Sequence, residues 1–414
     1  MSDSGSDSDV GPRPPSPHSD SPRKEVEPSE NTDTKLQGDP PSLHTSREVT
    51  KNSAGEEFTV HVASLNANKQ NEDSFFVQDT LFGVVDGHGG AEASTFLGES
   101  FPSVFFSHHK NKADKADEIA AKFFSSLTTP GVVGEKKRSV ADEMEDAFVE
   151  ADEKVIDFLG MEGATVGACV TAAYVENRKV FLGNAGDTRA VIYGQSSSVN
   201  KRAFHLQPSF ATVPHTTSNR DEVNAVRRRS RDRNPVRRPP GDPLEAPERV
   251  AGIIMVTRSL GDSYLKIRKY APDSLEPYVP YISGSPELQS YSLQETDGLL
   301  VLASDGLWDH FNEREVGAIL EETMENLGDE NLAEVLVKKC LNQVVTGVGI
   351  EEDLFSRLPA GELRRRLHDD ITVVVVQLPS PFFKEVLENA RSGGTARKFR
   401  RGETSSDQLR IKSA

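Results

Sequence analysis

Carboxylates stand at the mouths of short apolar runs, and no other feature of this chain limits its fold and chemistry so tightly. Leu81-Phe-Gly-Val-Val85 leads straight into Asp86-Gly-His-Gly-Gly90, and Leu299-Leu-Val-Leu-Ala303 into Ser304-Asp305-Gly306. Asp369-Asp370 directly precede Ile371-Thr-Val-Val-Val-Val376, and Glu72-Asp73 directly precede Ser74-Phe-Phe-Val77. Apolar runs of this length between turn-forming residues predict buried strands, as do Val180-Phe-Leu182 and the alternating Phe58-Thr-Val-His-Val62. Between them, Ala91–Phe101, Val140–Leu159, Glu313–Glu325 and Asn331–Val344 space apolar residues by three and four, which predicts amphipathic helices.

A single Asp-Gly after a strand is a favoured turn, and a single acid beside a strand caps or solvates its edge. Several together are different. Carboxylates gathered at low-dielectric strand ends repel one another and lose water, and divalent cations offset both effects. With oxygen donors only, and no His/Cys set at zinc spacing, the expected ions are hard ones, Mg²⁺ or Mn²⁺, with Ca²⁺ the close competitor. No Asp-x-Asp-x-Asp-Gly loop of the calcium-binding helix–loop–helix kind is present. Gly87, Gly89 and Gly90 let the backbone come close to an ion or its waters. Two such ions about 3.5–4 Å apart would acidify a bridging water and clamp a phosphoryl group, so the expected reaction is metal-assisted phosphoester hydrolysis. His88 is then the candidate general acid for the leaving alkoxide.

Charge and composition narrow the alternatives. With 48 Lys+Arg against 65 Asp+Glu among 414 residues, the formal net charge is −17, which disfavours the chain as a polyanion binder. No apolar run approaches the roughly 20 residues that span a bilayer. Two cysteines make neither a disulfide framework nor a multi-Cys zinc site. Cys169 lies in the apolar run Gly167-Ala-Cys-Val-Thr171, and neither cysteine opens a Cys-x5-Arg phosphate cradle, so a thiol mechanism is not expected. The acidic Met1–Asp9 start has no signal-peptide pattern, and the expected location is cytoplasmic or nuclear.

Residues 1–55, rich in Ser, Pro and acids, are expected to be disordered, with a catalytic domain over 56–390 and a flexible basic tail over 391–414. Ser16-Pro17 and Ser21-Pro22 in the first tail resemble proline-directed kinase sites, so kinases are expected partners. Arg397-Lys-Phe-Arg-Arg401 reads as a nuclear signal or a plain basic tail. Residues 219–249, proline-rich and carrying seven arginines from Arg227 to Arg238, are expected to form a long surface loop. That loop attracts acidic or phosphorylated substrate or is simply solvated; without interleaved aromatics, nucleic acid is disfavoured.

Asp86-Gly-His-Gly-Gly90, Gly183-Asn-Ala-Gly-Asp-Thr-Arg-Ala190, Val256-Thr-Arg-Ser-Leu-Gly-Asp262, Ala303-Ser-Asp-Gly-Leu-Trp-Asp309 and Asp369-Asp-Ile-Thr-Val373, in this order, resemble the motifs of the metal-dependent type 2C serine/threonine protein phosphatases over about residues 57–378. The resemblance implies an α+β fold, a central sandwich of two antiparallel sheets flanked by helices. It implies that Asp86 bridges two metals, that Gly87 offers its carbonyl, and that Glu72, Asp305 and Asp369 complete the coordination. It further implies that Asp73 holds metal-bound water, that His88 is the general acid, and that Asp187 and Asp309 form a weaker third-metal position. The expected partners are phosphorylated proteins, with the chain a monomer; the competing reading is a catalytically silent phosphoprotein-binding scaffold of the same fold. Two positions depart from the family pattern. Asn68 stands where many members carry a phosphate-holding arginine, leaving Lys69 as candidate substitute, and Asp370 stands where asparagine is more usual.

Overall fold

The computed structural model describes residues 39–126, 138–196, 205–326, 330–385 and 387–388. In chain order the strands are β1 (Leu43–Lys51), β2 (Glu57–Leu65), β3 (Asp73–Gln78), β4 (Leu81–His88), β5 (Gly167–Glu176), β6 (Lys179–Ala185), β7 (Arg189–Gln195), β8 (Leu206–Ala211), β9 (Val236–Arg237), β10 (Arg249–Val250), β11 (Leu260–Gly261), β12 (Glu287–Ser292), β13 (Asp297–Ala303) and β14 (Ile371–Gln377). The helices are α1 (Glu92–Ser126), α2 (Val140–Leu159), α3 (Arg220–Arg229), α4 (Asp305–Trp308), α5 (Glu313–Asn326), α6 (Leu332–Val348), α7 (Glu352–Arg357) and α8 (Glu362–Arg365).

Two antiparallel sheets result, β1-β2-β14-β13-β7-β8 and β12-β6-β5-β4-β3, with β11 added to β5. The uninterrupted apolar runs are explained by burial on both faces. Leu300 and Leu302 of β13 and Val374 and Val376 of β14 meet Phe82, Val84 and Leu182 of the other sheet in a core between the sheets. Their neighbours Leu299, Val301, Val373 and Val375 point outward and pack with Val316, Leu320, Leu336 and Cys340 of α5 and α6. On the far side, Val85 and Val170 pack with Leu97, Phe101, Met144 and Phe148 of α1 and α2. The layers are therefore helix, sheet, sheet, helix, the α+β sandwich expected from the resemblance.

Two expectations are corrected. Leu43–Lys51, placed in the disordered tail, is a strand paired along its length with β2, from Leu43 opposite Leu65 to Lys51 opposite Glu57. It is an edge strand with mostly exposed side chains, so its ladder is made by backbone groups and leaves no apolar pattern to read. Residues 219–249 are not a bare loop. Asn219 caps α3 by accepting from the Asp221 N–H at 3.0 Å, acids fill the first turn and arginines the last, as the helix dipole favours. β9 and β10 form a short hairpin after it, and Val223, Val226, Val236 and Val250 join Tyr264, Leu265 and Tyr281 in a small core of their own. The phosphorylation sites near Ser16 and Ser21, and the basic segment around Arg397, lie outside the described residues.

Candidate metal centre

Strand register brings the acids together. β3 and β4 pair with Asp73 opposite Asp86, at the end of the sheet where β4 continues to His88. β13 ends at Ala303, opposite Val373 of β14, so Asp305 and Asp369 emerge at the same mouth of the other sheet. Ser304 ties the two sheets there: its hydroxyl donates to Asp73 Oδ2 at 2.7 Å and accepts from the Thr372 N–H at 3.0 Å, while its own N–H donates to the Thr372 carbonyl at 3.0 Å. The Gly87 N–H donates to the Glu72 carbonyl at 3.0 Å. A Cβ at Gly87 would sit 2.3 Å from that carbonyl oxygen, so only glycine allows this crossing.

Asp86, Asp187 and Asp305 each offer one carboxylate oxygen, all within 4.8 Å of one another, in half-buried positions. Asp187, which the resemblance places at a weaker third position, thus converges with Asp86 and Asp305. Asp309 is exposed, and its N–H donates to the Asp305 carbonyl at 2.8 Å. Loss of water and the charges of neighbouring acids act on Asp86 and Asp305. They push the Asp86 and Asp305 carboxyls well above the usual range. Burial, with Asp370 adding repulsion, pushes Asp73 up to about 8, and burial raises Asp369 to about 6 against the opposing pull of Arg365. Glu72 is raised by burial and by Asp370. Such a set, all oxygen donors with Asp73, Asp86, Asp305, Asp369 and Glu72 held against ionisation, is completed by a hard divalent cation, so the residues present fit the group the resemblance implies.

The loop before β3 is organised by Asp370. Its Oδ1 accepts from the Ala67 N–H at 2.6 Å and the Asn68 N–H at 2.9 Å; its Oδ2 accepts from the Glu72 N–H at 2.7 Å and Asn68 Nδ2 at 3.1 Å. The Asn68 amide is therefore engaged in holding the loop, while Lys69 is exposed.

His88 comes with a partner the sequence reading assigned no role. Its Nε2 lies 2.7 Å from Asp262 Oδ2, and that oxygen also accepts from the Ser259 hydroxyl at 2.6 Å. Asp262 is fully buried, with Oδ1 lacking any hydrogen-bond partner, while the His88 ring stays 31% exposed. Burial works against the charged imidazole, but the charge and hydrogen bond of Asp262 outweigh it and His88 titrates above its usual value. A Cβ at Gly167 would meet Asp262 Oδ2 at 2.3 Å and His88 Nε2 at 2.8 Å, so this glycine leaves room for the pair. The only sequence sign of it was that Asp262 closes a quoted motif; the left-handed backbone at Asp262, φ 45°, was not visible there. Cys169 faces Asp86 across β4 and β5, and burial with the neighbouring Asp187 and Asp86 charges holds its thiol well above the usual range, far from a thiolate nucleophile.

Comparison with known proteins shows the family. The family model described as Protein phosphatase 2C matches residues 47–348. "Probable protein phosphatase 2C 67" of Arabidopsis thaliana is 31% identical over 74% of this chain and 76% of its own length. "Probable protein phosphatase 2C 43" of Oryza sativa subsp. japonica is 29% identical, over 80% of this chain and 79% of its own. Among solved structures, a serine-threonine phosphatase 2C from Toxoplasma gondii superposes with a TM-score of 0.56 at 16% identity, covering 81% of this chain and 99% of that one. A C. elegans sex determining protein superposes with a TM-score of 0.54 at 18% identity, covering 84% and 67%. The chain belongs to the protein phosphatase 2C family, the metal-dependent protein serine/threonine phosphatases.

Proposed function

We propose that the chain hydrolyses phosphoserine and phosphothreonine in proteins at a site for two Mg²⁺ or Mn²⁺ ions, with room for a third. The convergence of the Asp86, Asp187 and Asp305 carboxylates within 4.8 Å carries this reading. Asp86 and Asp305 would hold the ions with Glu72 and Asp369, the Gly87 carbonyl would add a neutral donor, and Asp187 with the rim residue Asp309 would hold the third. Bound there, the ions supply the Lewis acidity and positive charge that ready a water for attack on phosphorus. Asp73, fixed by the Ser304 hydroxyl, orients water in the cleft. As the water oxygen bonds to phosphorus and the P–O bond to the side chain breaks, His88 gives a proton to the leaving serine or threonine oxygen, releasing the hydroxyl and inorganic phosphate. With Nε2 engaged by Asp262, Nδ1 is the ring atom left for that transfer. Asp262 keeps the ring in place and favours its protonated form.

Release of phosphate from a phosphothreonine peptide with Mn²⁺ or Mg²⁺, against the same protein in EDTA, tests the reading. Ion-dependent turnover is expected; equal rates in EDTA, or none with either ion, would remove it.

A further inference from the structure

We propose that Arg365 grips the substrate phosphate, taking the place left by Asn68. This deepens the phosphatase reading and rests on it.

A phosphomonoester dianion must approach six carboxylates, Glu72, Asp73, Asp86, Asp187, Asp305 and Asp369, and needs cationic donors of its own. Among the described residues, Arg365 is the one arginine seen pairing with any of these acids: its Nη2 lies 2.5 Å from Asp369 Oδ2. The neighbouring cations are engaged elsewhere or loosely placed. Arg189 pairs with Glu313 at 3.0 Å and lies over the Trp308 ring, and Lys69 is exposed on the loop. The Asn68 amide is held by Asp370.

Arg365 is delivered by a firm platform. It ends α8, in the segment between α6 and β14. The Gly361 N–H, just before α8, donates to the Ala67 carbonyl at 2.7 Å, which joins this segment to the same loop that carries Asn68. The adjacent Arg364 is 2% exposed; its Nη1 donates to the Phe355 and Leu358 carbonyls at 3.2 and 3.1 Å, and its guanidinium lies 4.4 Å from the Phe355 ring. One arginine anchors the turn and the next faces the site. The Arg365 side chain is 45% exposed, and Asp369 engages one edge of its planar fork. Among the described residues no other group takes its remaining N–H donors, which can meet two phosphate oxygens in the paired geometry that guanidinium favours over ammonium. Asp369 would then serve as the hinge that aims it.

The test uses the full chain in Mg²⁺ with inorganic phosphate as probe, comparing wild type with Arg365→Ala and Arg365→Lys. Calorimetry reads phosphate and Mg²⁺ affinities separately, and phosphopeptide kinetics read KM and kcat. Arg365→Ala is expected to weaken phosphate about tenfold, the equivalent of one charge-assisted contact. Mg²⁺ affinity should hold or tighten, and KM should rise by more than kcat falls. Arg365→Lys should recover part of the loss. Unchanged phosphate affinity in Arg365→Ala overturns the proposal, as does a wild type that binds no phosphate. Phosphate and Mg²⁺ weakening in proportion would also overturn it, because the effect would then run through Asp369. If wild type binds phosphate through Arg365 yet turns over no phosphopeptide, the fault lies in the phosphatase reading, and a substrate role for Arg365 falls with it although the phosphate contact itself is real.

Discussion

Acids at the sandwich mouth and acids under the segment that crosses it at residues 212–285 live under opposite electrostatic rules. In the crossing segment each buried acid has a basic partner. Glu222 accepts from Arg258 Nη2 at 2.6 Å and Nε at 3.1 Å and from the Thr257 hydroxyl at 2.7 Å. Burial alone would raise its carboxyl; these partners hold it below the usual range. Asp232 is likewise lowered, despite burial, by the Asn234 N–H, Tyr281 and Arg237, and Asp152 of α2 pairs with Lys266 at 2.7 Å. At the mouth, Asp73, Asp86, Asp305 and Asp369 are all raised, and what faces them is chiefly one another. Paired acids hold the chain together. The mouth acids, of which Asp369 alone has an arginine beside it, wait for a charge that folding does not supply, so the same substitution should act with opposite sign in the two regions.

Asp305→Asn or Asp86→Asn is the hardest test of that contrast. Either should reduce phosphopeptide turnover beyond the about 10–100-fold that loss of a supporting partner costs, while raising the melting temperature of the metal-free protein, since one repelling charge is gone. A fall in metal-free Tm would mean the mouth is built like the crossing segment. The mirror experiment is Arg258→Ala. It strands the Glu222 carboxylate, 7% exposed, and breaking such a pair costs about 3–5 kcal/mol, read as a lower urea midpoint. Unchanged stability would show that Glu222 has other means of support.

Asp262→Asn sits between the two cases, a buried acid with a partner that also does chemistry. It keeps the shape and loses the charge facing His88, so phosphoserine turnover should drop about 10–100-fold, with a smaller drop on an activated aryl phosphate whose leaving group needs no proton. Equal losses on both substrates would make Asp262 a purely structural residue.

What the sequence disclosed follows from range. Burial on both faces made β13 and β14 plain as apolar runs, and the helix expected over Val140–Leu159 is found with those bounds because its Ser139–Asp142 capping box and its apolar stripe are local. β1, polar and paired only through its backbone, gave no local sign, and α3 hides a two-valine face in an arginine-rich segment. At the site, acids at strand ends were legible one by one. Their convergence was expected, but the register between distant strands that achieves it was not visible. His88 and Asp262 are 174 positions apart, and nothing in either neighbourhood announces the other. The Arg365–Asp369 pair, by contrast, has the i,i+4 spacing that the sequence shows and that reading for ligands alone passed over.

The smallest effect expected is on pH dependence, and its sign separates the two regions without any substitution. Asp73 titrates near 3.8 when unfolded and at about 8 in the folded, metal-free protein. Below 3.8 both states are protonated and the contribution to stability is fully present. As pH rises, the unfolded carboxyl ionises while the folded one keeps its proton, so stability is lost progressively until pH passes about 8. Glu222, lowered in the folded state, acts the other way: its contribution is present above its unfolded value of 4.5 and fades as pH falls through the folded one. Between pH about 5 and 8 the Glu222 contribution is already complete, so the metal-free Tm should decline with rising pH, by a few degrees. Saturating Mg²⁺ should flatten that decline, because it binds the ionised carboxylates and its stabilisation grows as protons leave them. A metal-free Tm that rises over this interval would mean the mouth acids ionise at no cost.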